Sequence, residues 1–130
     1  MAGKEPVRKI RPEDRHEGHA TPGLTREEAI SADGMWAGFV RTKAGMVSDW
    51  HHHSDNASAI FVVRGSLRLE FGPGGHDSVD AGPGDFVHVP KWAIHRELNP
   101  DPIESEMVVF RSGEGPLVVN VEDPEPASGE

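Results

Sequence analysis

The chain contains no cysteine. That removes thiolate metal sites, a nucleophilic thiol and any disulfide framework, although it leaves the cellular compartment open. Apolar runs long enough to cross a bilayer are also missing, and the first twenty residues carry charge without an apolar signal core. A soluble cytoplasmic protein without a membrane partner is expected. Basic charge is scarce: 13 Lys and Arg stand against 22 Asp and Glu, a formal net charge of -9 that repels a polyphosphate backbone and argues against a nucleic-acid partner. There is no G-x-S-x-G elbow for a serine nucleophile, and the glycines of GPGGH at 72–76 precede no helix that would cradle a phosphate.

What is present points to short strands. At 130 residues the chain fits one domain, and 15 glycines and 11 prolines punctuate short runs rich in Val, Ile and Phe, as in an all-β protein. Residues 1–23 mix charges with Pro and Gly and are expected to form a flexible arm, on which His16 and His19 read as solvated side chains. Residues 24–30 are ambiguous, because Thr25 and Glu28 have the spacing of a helical capping box. Strands are expected over 35–41, 46–53, 58–63, 67–71, 86–89, 94–98, 103–111 and 116–121, with a weak one at 78–81. Turns are expected at 54–57 (SDNA), 82–85 (GPGD), 99–102 (NPDP) and 112–115. The core domain would thus span 24–121, followed by a disordered acidic tail at 122–130. So many short strands in one small domain favour a two-sheet jelly roll or a small closed barrel.

The chemistry centres on the triplet His51, His52, His53. Alternate residues of a strand share a face, so His51 and His53 point together while His52 points away. Two imidazoles rarely hold a metal against water, and His95 is the best candidate for a third.

Gly45, His51, His53 and Gly65, followed by Gly84, Pro90, His95 and Asn99, resemble the two sequence motifs of the cupins, with matching spacing. The resemblance implies a double-stranded β-helix, a jelly-roll barrel, enclosing one divalent metal ion. Two positions depart from the pattern: Ser58 stands where cupins usually supply a glutamate ligand, and Trp92 where they usually have glycine. The implied ligand set is therefore the three neutral imidazoles of His51, His53 and His95, with Asp55 as a less favoured replacement for the carboxylate. That set is similar to the three-histidine cupins, among them thiol and diketone-cleaving dioxygenases.

Three neutral ligands would leave the metal's 2+ charge uncompensated and draw in an anionic, chelating small-molecule substrate. Fe2+ is the expected ion for an oxygenase, while Zn2+, Ni2+ and Mn2+ also suit nitrogen donors. Ser58, Ile60 and Val62 follow the histidine face inward by alternation and are expected to line the pocket. Arg41, Arg96 and Glu97 are weighed as groups that orient substrate or a ligand imidazole, against the commoner role of surface charges. Phe86 and Phe110 are candidate pocket walls or, alternatively, core or dimer interface. Trp92 is expected to narrow or cap the mouth. His88 reads either as a proton shuttle or fourth ligand, or as a buried, hydrogen-bonded histidine. The expectation is a homodimeric metal-dependent dioxygenase, with a non-catalytic ligand-binding module and a Zn2+ isomerase or hydrolase as alternatives.

Overall fold

The computed structural model describes residues 5–19 and 21–126. The flexible arm expected at 1–23 and the disordered tail expected at 122–130 therefore lie partly outside the described residues. Eleven strands occur among them: β1 (His16–Glu17), β2 (Leu24–Ala32), β3 (Met35–Thr42), β4 (His51–His52), β5 (Asp55–Arg64), β6 (Leu67–Phe71), β7 (Asp77–Ala81), β8 (Phe86–Val89), β9 (His95–Leu98), β10 (Ser105–Glu114) and β11 (Val119–Asn120). They form two antiparallel sheets, one of six strands in the order β1-β2-β3-β10-β5-β8 and one of five in the order β11-β4-β9-β6-β7.

The all-β expectation holds, but the closed jelly-roll barrel does not form. Among the described residues each sheet keeps two free edges, and β7 pairs only with β6 while β8 pairs only with β5. The reason lies in the connection between them. The turn Gly82-Pro83-Gly84-Asp85, tightened by Asp85 N–H to the Gly82 carbonyl and by Gly82 N–H to the Asp85 carboxylate, carries the chain from one sheet to the other without a shared ladder. The result is a sandwich open along that side.

Between the sheets lies the apolar core, with Leu24, Trp36, Val40, Ile60, Val62, Leu67, Leu69, Met107 and Val109 all buried. Gly38 is required there, because a Cβ would collide with the Trp36 ring. The ambiguous segment at 24–30 is strand: Leu24 and Arg26 face inward in alternation and β2 pairs along β3, with a bulge between Glu28 and Ile30. Tertiary pairing overrides the local capping signal.

Other boundaries shift. The expected strand over 46–53 is regular only at His51–His52, with an isolated bridge from Val47 to Leu98, yet its alternation persists: Met46 and Ser48 are buried, Val47 and Asp49 exposed. The turn before β5 shrinks to Ser54, which takes a φ of 55°. Ladder pairing of β10 with β5 runs through Glu114, so no break occurs at 112–115.

Candidate metal centre

His51 and His53 both reach the interior, and the β4–β9 ladder places His95 directly opposite His51. The three rings lie with centroids 5.0, 4.4 and 5.0 Å apart. Each Nδ1 meets a backbone carbonyl: Asp49 at 2.8 Å for His51, Leu117 at 2.5 Å for His53 and Ala93 at 2.8 Å for His95. A carbonyl only accepts, so each neutral ring donates from Nδ1 and keeps its lone pair on Nε2. The Nε2 atoms of His51 and His95 are buried and have no hydrogen-bond partner among the described residues. Orphaned lone pairs pointed at one another are costly unless something fills the space between them.

A fourth group completes the cluster. Glu97, two residues beyond His95 on β9, is 5% exposed, and its Oε1 lies 3.9 Å from His51 Nε2 and 3.7 Å from His95 Nε2. The candidate ligand atoms of His51, His53, His95 and Glu97 all fall within 4.8 Å of one another. Donors placed about 2.1 Å from a shared ion sit roughly 3–4 Å apart, so the spacing fits one divalent cation. The expected set of three neutral imidazoles is thereby corrected: a carboxylate is present, supplied from β9 rather than from the Ser58 position. Asp55 does not replace it, being exposed and paired with Lys91 at 3.3 Å.

Electrostatics keep these groups in metal-binding form. Burial pushes the His53 pKa down to about 3, helped by the Arg111 charge, and burial likewise lowers that of His51. Burial alone would raise the Glu97 pKa, but the Arg26 charge, and the His95 and His51 rings whenever they carry a proton, hold its carboxyl well below the usual range.

Beside His95 an apolar cavity of about 220 Å³ opens between β7 and β8, lined by Leu69, Phe71, Val79, Val87, Val89 and Ala93. The failure of the barrel to close is what leaves this mouth.

The sequence-predicted pocket residues divide by face. Ser58, Ile60 and Val62 point inward and are buried, Ser58 with an unpartnered hydroxyl and the other two within the apolar core. Phe86 (73% exposed) and Phe110 (47%) lie on the outer face of the six-stranded sheet and form no pocket wall around the histidines. Arg41 shares that outer face, paired with Glu27 and stacked on Phe39. His88 has the same strand parity as Phe86 and is exposed at the cavity rim, so the expectation of a buried histidine fails. Trp92 does not cap the mouth. It is 60% exposed and packs 5.3 Å from His52, away from the cavity.

Reading the sequence missed three groups as parts of the interior. Glu97 shares the parity of His95, the same signal that paired His51 with His53. Arg26 and Arg111 are buried on inward strand positions of the six-stranded sheet, where an alternating pattern leads one to expect apolar residues.

Among solved structures, KdgF from Halomonas sp. superposes with a TM-score of 0.70 at 20% identity, covering 85% of this chain and 96% of that one. The polyketide cyclase RemF from Streptomyces resistomycificus gives a TM-score of 0.73 at 20% identity, over 88% of this chain and 85% of that one. An oxalate oxidase in complex with glycolate gives 0.64 at 22% identity, over 76% of this chain and 55% of that one. At these identities the likeness is one of fold. No curated protein sequence matches the chain. The family model for the cupin domain matches residues 38–110, from the middle of β3 into β10 and across all four clustered side chains. On that match, the chain belongs to the cupin family.

Proposed function

We propose that the protein is a metal-dependent enzyme that oxidises a small anionic substrate with dioxygen, its ion held by His51, His53, His95 and Glu97. The observation that carries this reading is the convergence of three Nε2-presenting imidazoles and one buried carboxylate beside a cavity open to solvent. A divalent ion in that cluster would supply Lewis acidity and, as Fe2+, a source of electrons for dioxygen, while Mn2+, Zn2+ or Ni2+ also suit the donors. The protein's own part is positional. Carbonyls of Asp49, Ala93 and Leu117 fix the three rings, Glu97 stays ionised, and the apolar walls at Leu69, Val87 and Val89 keep bulk water from the reacting face.

A second reading has support in Glu97. If that carboxylate stands outside the coordination sphere, it is placed to take a proton from a chelated substrate, which suits an isomerase or cyclase. Structural neighbours of this size include a polyketide cyclase and a sugar phosphate isomerase. We also propose a homodimer, supported by the apolar outer face that exposes Met35, Phe86 and Phe110. Sedimentation at micromolar concentration as a single-chain species would remove that part.

The test is elemental analysis of protein purified without a histidine tag, followed by oxygen uptake of the Fe2+-loaded protein with diketones, thiols, phenols and small carboxylic acids. One ion per chain and substrate-dependent uptake are expected. Turnover in the absence of oxygen would favour the isomerase or cyclase, and no turnover with any loaded metal would leave a binding module.

A further inference from the structure

Across the interior from the metal ligands, two buried polar side chains each leave an atom without a hydrogen-bond partner among the described residues. Arg111 on β10 and Ser58 on β5 are direct cross-strand partners, 4% and 3% exposed. Arg111 Nε and Ser58 Oγ are both buried without a hydrogen-bond partner. The guanidinium stacks 4.9 Å over the Trp36 ring, which fixes its plane, and among the described residues no carboxylate lies within ion-pair distance of it. Arg26, the other inward guanidinium, behaves differently: it donates to Thr21 Oγ1 at 2.7 Å and to the His19 carbonyl at 3.2 Å, as a structural arginine does.

Charge balance sharpens the contrast. Buried among the described residues are two guanidiniums, Arg26 and Arg111, and one carboxylate, Glu97. A divalent ion in the cluster deepens the positive excess in an interior where unpaired charge is costly. One carboxylate group on the substrate offsets only part of it. A second anionic group would meet the fork of donors at Arg111 and the hydroxyl of Ser58, which together suit a planar carboxylate.

We propose that Arg111 and Ser58, held against Trp36, form an anion-binding wall opposite the metal ligands, and that the substrate is a small dianion with two oxygen-anion groups, one for each wall. This inference rests on the metal-centre reading of the function and names the substrate class for it. Arg111 anchors the far end of the substrate; the metal ligands engage the near end. A compound with a single carboxylate fills one wall and leaves the other unpaired, so discrimination arises from the unpaired guanidinium as much as from the added contact.

The experiment is calorimetric binding of malonate, acetate and neutral malonamide to Mn2+-loaded and metal-free protein, in the wild type and in Arg111→Met, Arg111→Lys and Ser58→Ala, with metal content measured for each. Malonate is expected to bind the loaded wild type at least about tenfold more tightly than acetate, and malonamide weakly. Arg111→Met should lower malonate affinity about ten- to hundredfold while leaving acetate affinity and metal content unchanged. Arg111→Lys should recover only part of it, because a point charge lacks the fork. Ser58→Ala, a change too small to endanger folding, should cost about fivefold. Equal binding of malonate and acetate, or malonate affinity indifferent to both Arg111→Met and Ser58→Ala, overturns the proposal. Failure to take up metal would sink the proposed function instead, and Arg111-dependent retention of malonate by that metal-free protein would still support the anion wall.

Discussion

The two inner faces of the sandwich carry opposite chemistry. The five-stranded sheet presents lone pairs and a carboxylate from His51, His53, His95 and Glu97, whereas the six-stranded sheet presents guanidiniums and a hydroxyl from Arg26, Arg111 and Ser58. One face is built to hold a cation and the other is short of an anion. Neither has a reason to be buried without what lies between, since ionic groups in a core contribute less to stability than apolar residues of the same size. Breaking one face at a time therefore separates metal binding from anion binding.

The largest effect is expected on the five-stranded side. His95→Ala removes a ligand whose neighbours are fixed by carbonyl hydrogen bonds, and one of four donors accounts for roughly 3–4 kcal/mol of a typical site's affinity. Metal affinity should fall by about a hundred- to thousandfold in a competition assay with a chelator. A fall of less than about tenfold would show that the cluster is not the metal site. Arg111→Met, on the opposite face, should leave metal affinity within about threefold of wild type.

Acid comes next. The unfolded chain protonates the His53 ring near 6.5, and the folded chain only near 3. Between those values the unfolded state binds the extra proton, so stability of the metal-free protein falls as the pH falls, by roughly 3 kcal/mol from pH 6.5 to 4. Glu97 contributes in the same direction at lower pH: its stabilisation is complete above about 4.5 and is lost only as the pH drops toward its depressed folded value. Denaturant titrations of metal-free protein across this range should show the decline. Saturating metal should shift the whole curve upward by about 4 kcal/mol at a thousandfold excess over Kd. A flat profile between pH 6.5 and 4 would contradict the buried neutral imidazole.

Glu97→Gln tests the link between the faces. The amide keeps the shape of the side chain but removes the one buried negative charge facing Arg26 and Arg111. A stability loss of about 2 kcal/mol is expected in the metal-free protein, together with weaker metal binding. If stability were unchanged, the Glu97 charge would not act on the two guanidiniums across the interior.

How much of this was legible in the sequence depends on which rule each residue obeys. Strand parity alone was enough for His51, His53 and Ser58, and the same rule, applied to His95 and Glu97, would have found the carboxylate. From the sequence, Glu97 is weighed as a group that orients substrate or a ligand imidazole against the commoner role of a surface charge, and neither role is that of a ligand. Parity would also have put His88 outside with Phe86. Arg26 and Arg111 break the pattern itself: a charge at an inward position is indistinguishable from a strand boundary until its neighbours are known. Barrel closure was not legible at all, since it depends on sheet twist and on whether β7 and β8 meet across a four-residue turn, neither of which is written in local composition.

The smallest effect is expected where the sequence departs most visibly from its family. Trp92 occupies the position at which cupins usually have glycine, and it adopts a φ of 62°, a backbone region costly for a large side chain. Its N–H donates to the Ser54 carbonyl at 2.9 Å, a bond that glycine would keep. Trp92→Gly therefore relieves backbone strain but loses the ring's contact with His52, and these terms oppose each other. Stability should change by less than about 1 kcal/mol in denaturant titration, and metal affinity should stay within about threefold. A larger drop in metal affinity would mean that His52 and Trp92 together brace the backbone between His51 and His53, making the exposed side of the triplet as important as its buried one.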